Sequence, residues 1–161
     1  MARLQVRPAT PFLFRKLRAS PTGSTSAYGA GDAIGSVLSF ADASRSTYGE
    51  GILHSVIITD IGKQTTGMSL ILSDFAIPSS DVVDNAAPAV ADSDANAILA
   101  IVTVASSDYI TLGNNTVAHV SVDIPYYTDA SHTLYGFLVA TATPTLDTAA
   151  DLTVTLIVEP A

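Results

Sequence analysis

Apolar residues recur at every second position in this chain, in one short run after another. In Leu152-Thr-Val-Thr-Leu-Ile-Val158 the side chains of Leu152, Val154 and Leu156 share one face, with Thr153 and Thr155 opposite. Successive side chains of an extended strand point to opposite sides of a sheet, so this period suits a half-buried β-strand and not a helix. Runs rich in Val, Ile, Thr and Tyr, separated by Gly, Asn, Asp and Pro, predict strands over 34–40, 52–59, 68–73, 98–105, 117–124, 134–141 and 152–158. In the 117–124 run Val120, Val122 and Ile124 alternate, interrupted by the bulkier His119. Short strands at this spacing predict an all-β fold, a β-sandwich or jelly-roll-like body, in place of a parallel α/β sheet.

The 161 residues suffice for one domain with its own core. Hydrophobic residues make up 48% and charged residues 14%, with mean hydropathy +0.39, which is the reverse of a disordered composition. No run of eighteen apolar residues exists to form a membrane-spanning helix; the longest uncharged run, 130–146, contains His132 and Pro144. The apolar surplus therefore points to burial in an oligomer or lattice. With no cysteine, disulfides and thiolate metal sites are excluded.

Charge is split along the chain. Residues 1–18 hold five bases and no acid, whereas residues 19–161 hold two bases and fifteen acids. An acidic body repels nucleic acid, so no direct nucleic-acid binding is expected of it. The first segment lacks the apolar core of a secretory leader and is read as a basic arm. Pro8, Pro11 and Pro21 forbid a continuous helix there, and Ser20-Pro-Thr-Gly-Ser-Thr-Ser26 has the composition of a linker. The division expected is an extended arm and linker over 1–30 and a sandwich over 31–161. Arg3, Arg7, Phe12, Phe14, Arg15, Lys16, Leu17 and Arg18 are the candidate partner-binding residues. Backbone ordering costs about 1–2 kcal/mol per residue, more than exposed ion pairs return, so the arm is expected to add a strand to a neighbour's sheet.

Other motifs carry little chemistry. Gly29-Ala-Gly31-Asp-Ala-Ile-Gly35 spaces its third glycine one residue late for a dinucleotide loop and reads as a turn. Asp92-x-Asp94-x-Asn96 opens like a calcium loop, but Ala97 and Thr103 stand where a glycine and a bidentate glutamate are required, so these are solvated acids. Asp92 or Ser93 is instead the expected N-cap of one helical turn inside the long 78–97 connection. Gly113-Asn114-Asn115 predicts a hairpin turn, although Asn114 also begins a glycosylation sequon. His54, His119 and His132 lack metal-ligand spacing, and no nucleophile motif accompanies them. No catalytic, cofactor or metal residue is assigned. The six tyrosines suit core and interface packing, with a sugar-binding surface as the rival use.

Three blocks carry a family likeness. They are Ala27-Tyr-Gly-Ala-Gly-Asp-Ala-Ile-Gly35; Leu70-Ile-Leu-Ser-Asp-Phe75 leading to Asp84-Asn-Ala-Ala-Pro-Ala-Val-Ala-Asp-Ser-Asp-Ala95; and Leu134-Tyr-Gly-Phe-Leu-Val139 with the 152–158 strand. In this order, over residues 27–158, the chain resembles the capsid decoration, or cement, proteins of tailed bacteriophages. The resemblance implies a virion structural protein on the outer capsid surface. It would often be a homotrimer, bound to the major capsid protein and stabilising the head. It transfers no catalytic residue and does not extend to the basic arm. A receptor- or carbohydrate-binding virion module is the alternative, and a small hydrolase a more distant one.

Overall fold

The computed structural model describes residues 13–161. Nine strands form two antiparallel sheets: β1 (Arg15–Ala19), β2 (Ala33–Phe40), β3 (Glu50–Asp60), β4 (Met68–Ser73), β5 (Ile98–Val104), β6 (Tyr109–Thr111), β7 (Thr116–Tyr127), β8 (Leu134–Ala140) and β9 (Leu152–Pro160). The larger sheet has the order β1-β9-β3-β7-β6 and the smaller β2-β8-β4-β5. The pairs β4–β5, β3–β7, β2–β8 and β1–β9 nest inside one another along the chain, like one long hairpin rolled into two layers. That is the connectivity of a jelly roll, with β6 an added hairpin partner of β7.

The alternation read from sequence sets which side chains meet between the layers. Leu53, Val56 and Ile58 of β3, Val154, Leu156 and Val158 of β9, and Leu70 and Leu72 of β4 are fully buried against Ile34, Phe40, Leu134 and Leu138. Each predicted strand is present with its ends displaced by at most three residues, and the hairpin turn joins β6 to β7 through Leu112 and Asn115.

Two expectations need correction. Residues 15–19, read as arm, are a strand of this chain's own sheet, in register from Arg15 opposite Val158 to Ala19 opposite Val154. Leu17 is buried in the core, so its apolar surface is spent within the chain and is not offered to a partner. The linker-like stretch after it is packed too: Gly23 and Tyr28 donate their amides to the carbonyls of Ala149 and Pro144. The helical turn α1 (Asp92–Ala95) forms where expected, but its N-cap is Ala91, with no side-chain cap. The Ala91 carbonyl already receives the amides of Asp94 and Ala95.

The long connection from β4 to β5 has a packing role. Its base is closed by the Asp74 amide on the Ala97 carbonyl, and it lies over the outer face of the smaller sheet. There Ile77 and Val82 bury Ala33, Ile71 and Phe137 in a second, smaller apolar cluster. The outer face of the smaller sheet is thus covered around Ala33, Ile71 and Phe137, while Ile101 on β5 stays exposed.

Candidate functional site

The outer face of the larger sheet has a built feature where β3, β7 and β9 meet. Against β9, β3 carries a bulge at His54, where Leu53 faces Val158 and Ser55 faces Ile157; against β7 the register shifts at the same place, with Val122 and Asp123 opposite His54. A bulge re-aims a side chain and twists the strand locally. His54 Nε2 lies 3.0 Å from Glu159 Oε2, and Nδ1 lies 3.9 Å from Asp123 Oδ1. The Phe14 ring meets the imidazole edge-on, with centroids 5.2 Å apart and planes at 74°.

Beside this knot lies a cleft of about 270 Å³ lined by Glu50, Gly51, Ile52, Pro125, Tyr126, Tyr127, Glu159 and Ala161. Tyr126 forms its floor. The phenol is buried and donates to the Ala43 carbonyl, and burial pushes its pKa up to about 12 while Arg15 pulls the other way. Gly51 permits this, because a Cβ there would overlap the Tyr126 hydroxyl. Tyr127, Pro125 and Ile52 supply exposed apolar surface, and Glu50 and Glu159 set two carboxylates at the rim. The volume lies just under the lower limit for small-molecule pockets, so the cleft suits side chains of a chain segment.

Of the candidate partner-binding residues, Arg3, Arg7 and Phe12 lie outside the described residues. Phe14, Lys16 and Arg18 are exposed, beside the cleft and along the β1 edge. Arg15 is turned inward and donates to the carbonyls of Asp42 and Ser44, and Leu17 is core. Pro125 and Tyr127 lie beyond the 117–124 run predicted from sequence, on the part of β7 that the structure adds. The cleft itself was not legible, because its walls come from positions 50, 125 and 159.

The glycine motif is a closed turn. Its amides are occupied within the protein: Gly29 by the Asp32 carboxylate (2.6 Å), Gly31 by the Ala140 carbonyl (2.8 Å), and Gly35 by Asp84 (2.6 Å). None of the three glycine amides is left to cradle a phosphate. Gly35 has φ +74°, with its α-carbon packed on Pro21, so a larger residue would be strained there. Among the described residues no three His, Asp or Glu side chains converge on a metal position.

One Ser–His contact exists, between Ser44 Oγ and His132 Nδ1 at 3.4 Å. Ser44 donates to the Ser46 carbonyl (2.8 Å) and contacts Thr128 Oγ1 (2.8 Å), so its proton is engaged elsewhere. The nearby Asp129 carboxylate accepts from Ser131, Thr133 and Tyr135 and makes no bond to the imidazole. The nucleophile–base–orienter chain of a hydrolase is not assembled at these residues. Tyr28 and Tyr126 are core residues, and only Tyr48 and Tyr127 are strongly exposed. No family model and no curated protein matches the sequence.

Proposed function

We propose that this chain is a virion structural protein, a decoration subunit that binds the outer surface of a phage head and stabilises it. One observation carries the assembly part of this reading. Strands β5 and β6, joined by a single 3₁₀ turn (Ser106–Asp108), are unpaired sheet edges among the described residues, without a charged residue on either strand. Ile101 and Ile110 are 64% and 67% exposed there, and Leu112 just beyond is 60% exposed. Monomeric proteins blunt their edges with charge, as β1 does here with Lys16 and Arg18, because an uncharged apolar edge recruits other chains. An edge left in this state is one that an assembly covers.

Jelly rolls are frequent in capsid and lectin domains, which is consistent with this reading but does not by itself assign a function. The resemblance of the three blocks supplies the partner class, the major capsid protein, and a homotrimer as the arrangement. The partner-binding set contracts to Arg3, Arg7, Phe12, Phe14, Lys16 and Arg18. Arg15 and Leu17 are engaged within the fold.

The test is add-back of purified protein to phage heads lacking it, read by sedimentation with the particles. Wild-type protein should sediment with heads and be a trimer by analytical ultracentrifugation. Ile101→Lys with Ile110→Lys should leave the fold intact, since exposed substitutions cost within about 0.5 kcal/mol. The same pair should abolish both self-association and head binding. A double variant that still assembles and decorates overturns the proposal.

A further inference from the structure

The cleft where β3, β7 and β9 meet carries two carboxylates and no basic side chain in its lining. From its charge and shape we infer that it seats an arginine side chain presented by a partner protein. The guanidinium lies flat on Tyr127 and forks between Glu50 and Glu159.

Charge selects a cation. Among the described residues both ion pairs of the protein involve His54, so neither Glu50 nor Glu159 is matched with a Lys or Arg. Around the cleft Glu50, Glu159 and Asp123 outnumber the single imidazole, and the site is negative whichever form His54 takes. His54 binds one oxygen of Glu159, Oε2, and leaves Oε1 without a hydrogen bond among the described residues. With Phe14 edge-on against the imidazole, that contact holds the carboxylate in place. A side chain ordered beforehand loses less freedom when a ligand arrives.

The balance of donors and acceptors disfavours a sugar. Sugar hydroxyls donate and accept alike, as serine hydroxyls do. The lining offers them acceptors, and the Tyr126 hydroxyl is already spent on the Ala43 carbonyl. Only the Tyr127 hydroxyl remains to donate from a side chain.

Shape selects arginine among cations. A guanidinium is planar, stacks on an aromatic face and presents a rigid fork of donors to carboxylates, whereas an ammonium is a strongly hydrated point charge. Tyr127, 54% exposed, supplies the face, and Ile52 and Pro125 continue it as apolar surface for the methylene stem. At about 270 Å³ the space is that of a side chain, and it opens on the outer face of the larger sheet, where another protein can approach. All its walls come from one subunit, so its binding can be read on the free protein, apart from the particle reading.

Acetyl-arginine amide, titrated into the full-length protein and followed by NMR, should shift the Tyr127 ring and Ile52 methyl resonances saturably, with about millimolar affinity for so small a ligand. Acetyl-citrulline amide, the uncharged isostere, should bind at least about fivefold more weakly, with acetyl-lysine amide between the two. Glu50→Gln and Glu159→Gln keep the shape, and each should weaken the arginine probe roughly three- to fivefold while leaving the citrulline probe unchanged. Tyr127→Leu should erase the preference for arginine over lysine. If a Gln variant does not fold, salt makes the same distinction in the unmodified protein, since it should weaken the arginine probe alone. Citrulline bound as tightly as arginine, or no saturable shift with either, overturns the proposal. Saturable shifts of the same resonances by methyl glucoside overturn it in favour of a sugar. Self-association that weakens in the Gln variants overturns it too, by showing that the occupant is a second copy of this chain.

Discussion

Tyr28 Oη donates a 2.8 Å hydrogen bond to Asp84 Oδ1, and the same oxygen accepts the Gly35 amide at 2.6 Å. One carboxylate oxygen thus joins the turn before β2 to the loop over the smaller sheet. Tyr28 is almost fully buried, and burial together with this bond pushes its phenol pKa well above the ordinary value. Asp84→Ala strands two donors, each at a cost of about 1–3 kcal/mol. A loss of roughly 2–4 kcal/mol is expected, or a Tm lower by roughly 4–16 °C in a domain of this size. Asp84→Asn, which keeps the acceptor oxygen, should lose less. Equal losses in the two variants, by calorimetry, would contradict this account.

Stability should have a maximum near the ordinary carboxylate range, because three acids are shifted in opposite directions. Asp60 is 1% exposed, and one of its oxygens has no hydrogen-bond partner. Burial is the main influence and raises its pKa; the amides of Gln64, Thr65 and Gly62 pull it down by less, and the charge of Asp151 adds to the rise. A raised carboxyl holds its proton more tightly folded than unfolded, so its contribution is lost as pH climbs from the ordinary range through the raised value. Asp129 and Asp151 behave oppositely. Burial works against their charge, but hydrogen bonds, chiefly from Thr133 and Tyr135 to Asp129 and from Thr148 to Asp151, hold both below the ordinary value. Their contribution is lost as pH falls through those lowered values. Asp60→Asn should therefore gain on wild type as pH rises from the ordinary carboxylate range through the raised value. Parallel Tm profiles for the two proteins would show that Asp60 is not the group responsible.

Gly51→Ala should be costly although its backbone is ordinary strand. The new methyl overlaps the Tyr126 hydroxyl and stands 2.7 Å from the Glu159 carbonyl. Overpacking of this kind costs about 1–3 kcal/mol. Tyr126→Phe in the same chain should recover part of it, since the closest clash is with the hydroxyl. A double variant no more stable than Gly51→Ala alone, in urea unfolding, would place the strain elsewhere.

Two truncations separate the strand from the segment before it. Deleting residues 2–12 should leave a folded domain that binds heads weakly, with the residual binding of Lys16 and Arg18 falling as salt rises. Deleting residues 2–18 also removes Leu17 from the core, which forfeits about 1.5–3 kcal/mol, and strips β1 from the edge of β9. The second truncation should melt lower and aggregate. Heads carrying the first should release DNA at a temperature between those of bare and fully decorated heads. Identical release curves for full-length and 2–12-deleted protein would remove the anchoring role.

What sequence could and could not disclose follows from where the signal lies. Strands such as β9 and β4 bury every second side chain or more, so their pattern is local and legible. β1 buries Leu17 alone among Arg15, Lys16 and Arg18, and its strand character comes from β9, 143 residues away by the Arg15–Val158 pairing. β6 is three residues long, too short for periodicity to register. Asp92 and Ser93 had the chemistry of an N-cap, but the cap position fell on Ala91 because the chain enters the turn one residue earlier. The cleft is assembled from three strands and a bulge, and nothing within any one of those strands announces it.

The nested order of the roll also sets the order in which it can close. The rungs β4–β5, β3–β7, β2–β8 and β1–β9 enclose progressively longer stretches of chain, and closure entropy grows with each. Pairings this distant make folding slow, on the millisecond-to-second scale of β-sandwiches. The β1–β9 rung encloses the longest stretch of chain, so until β1 is placed β9 has one vacant edge. At high concentration during refolding, the β1 strand of another chain fits that edge as well as the chain's own, and two molecules that trade strands there become a swapped dimer.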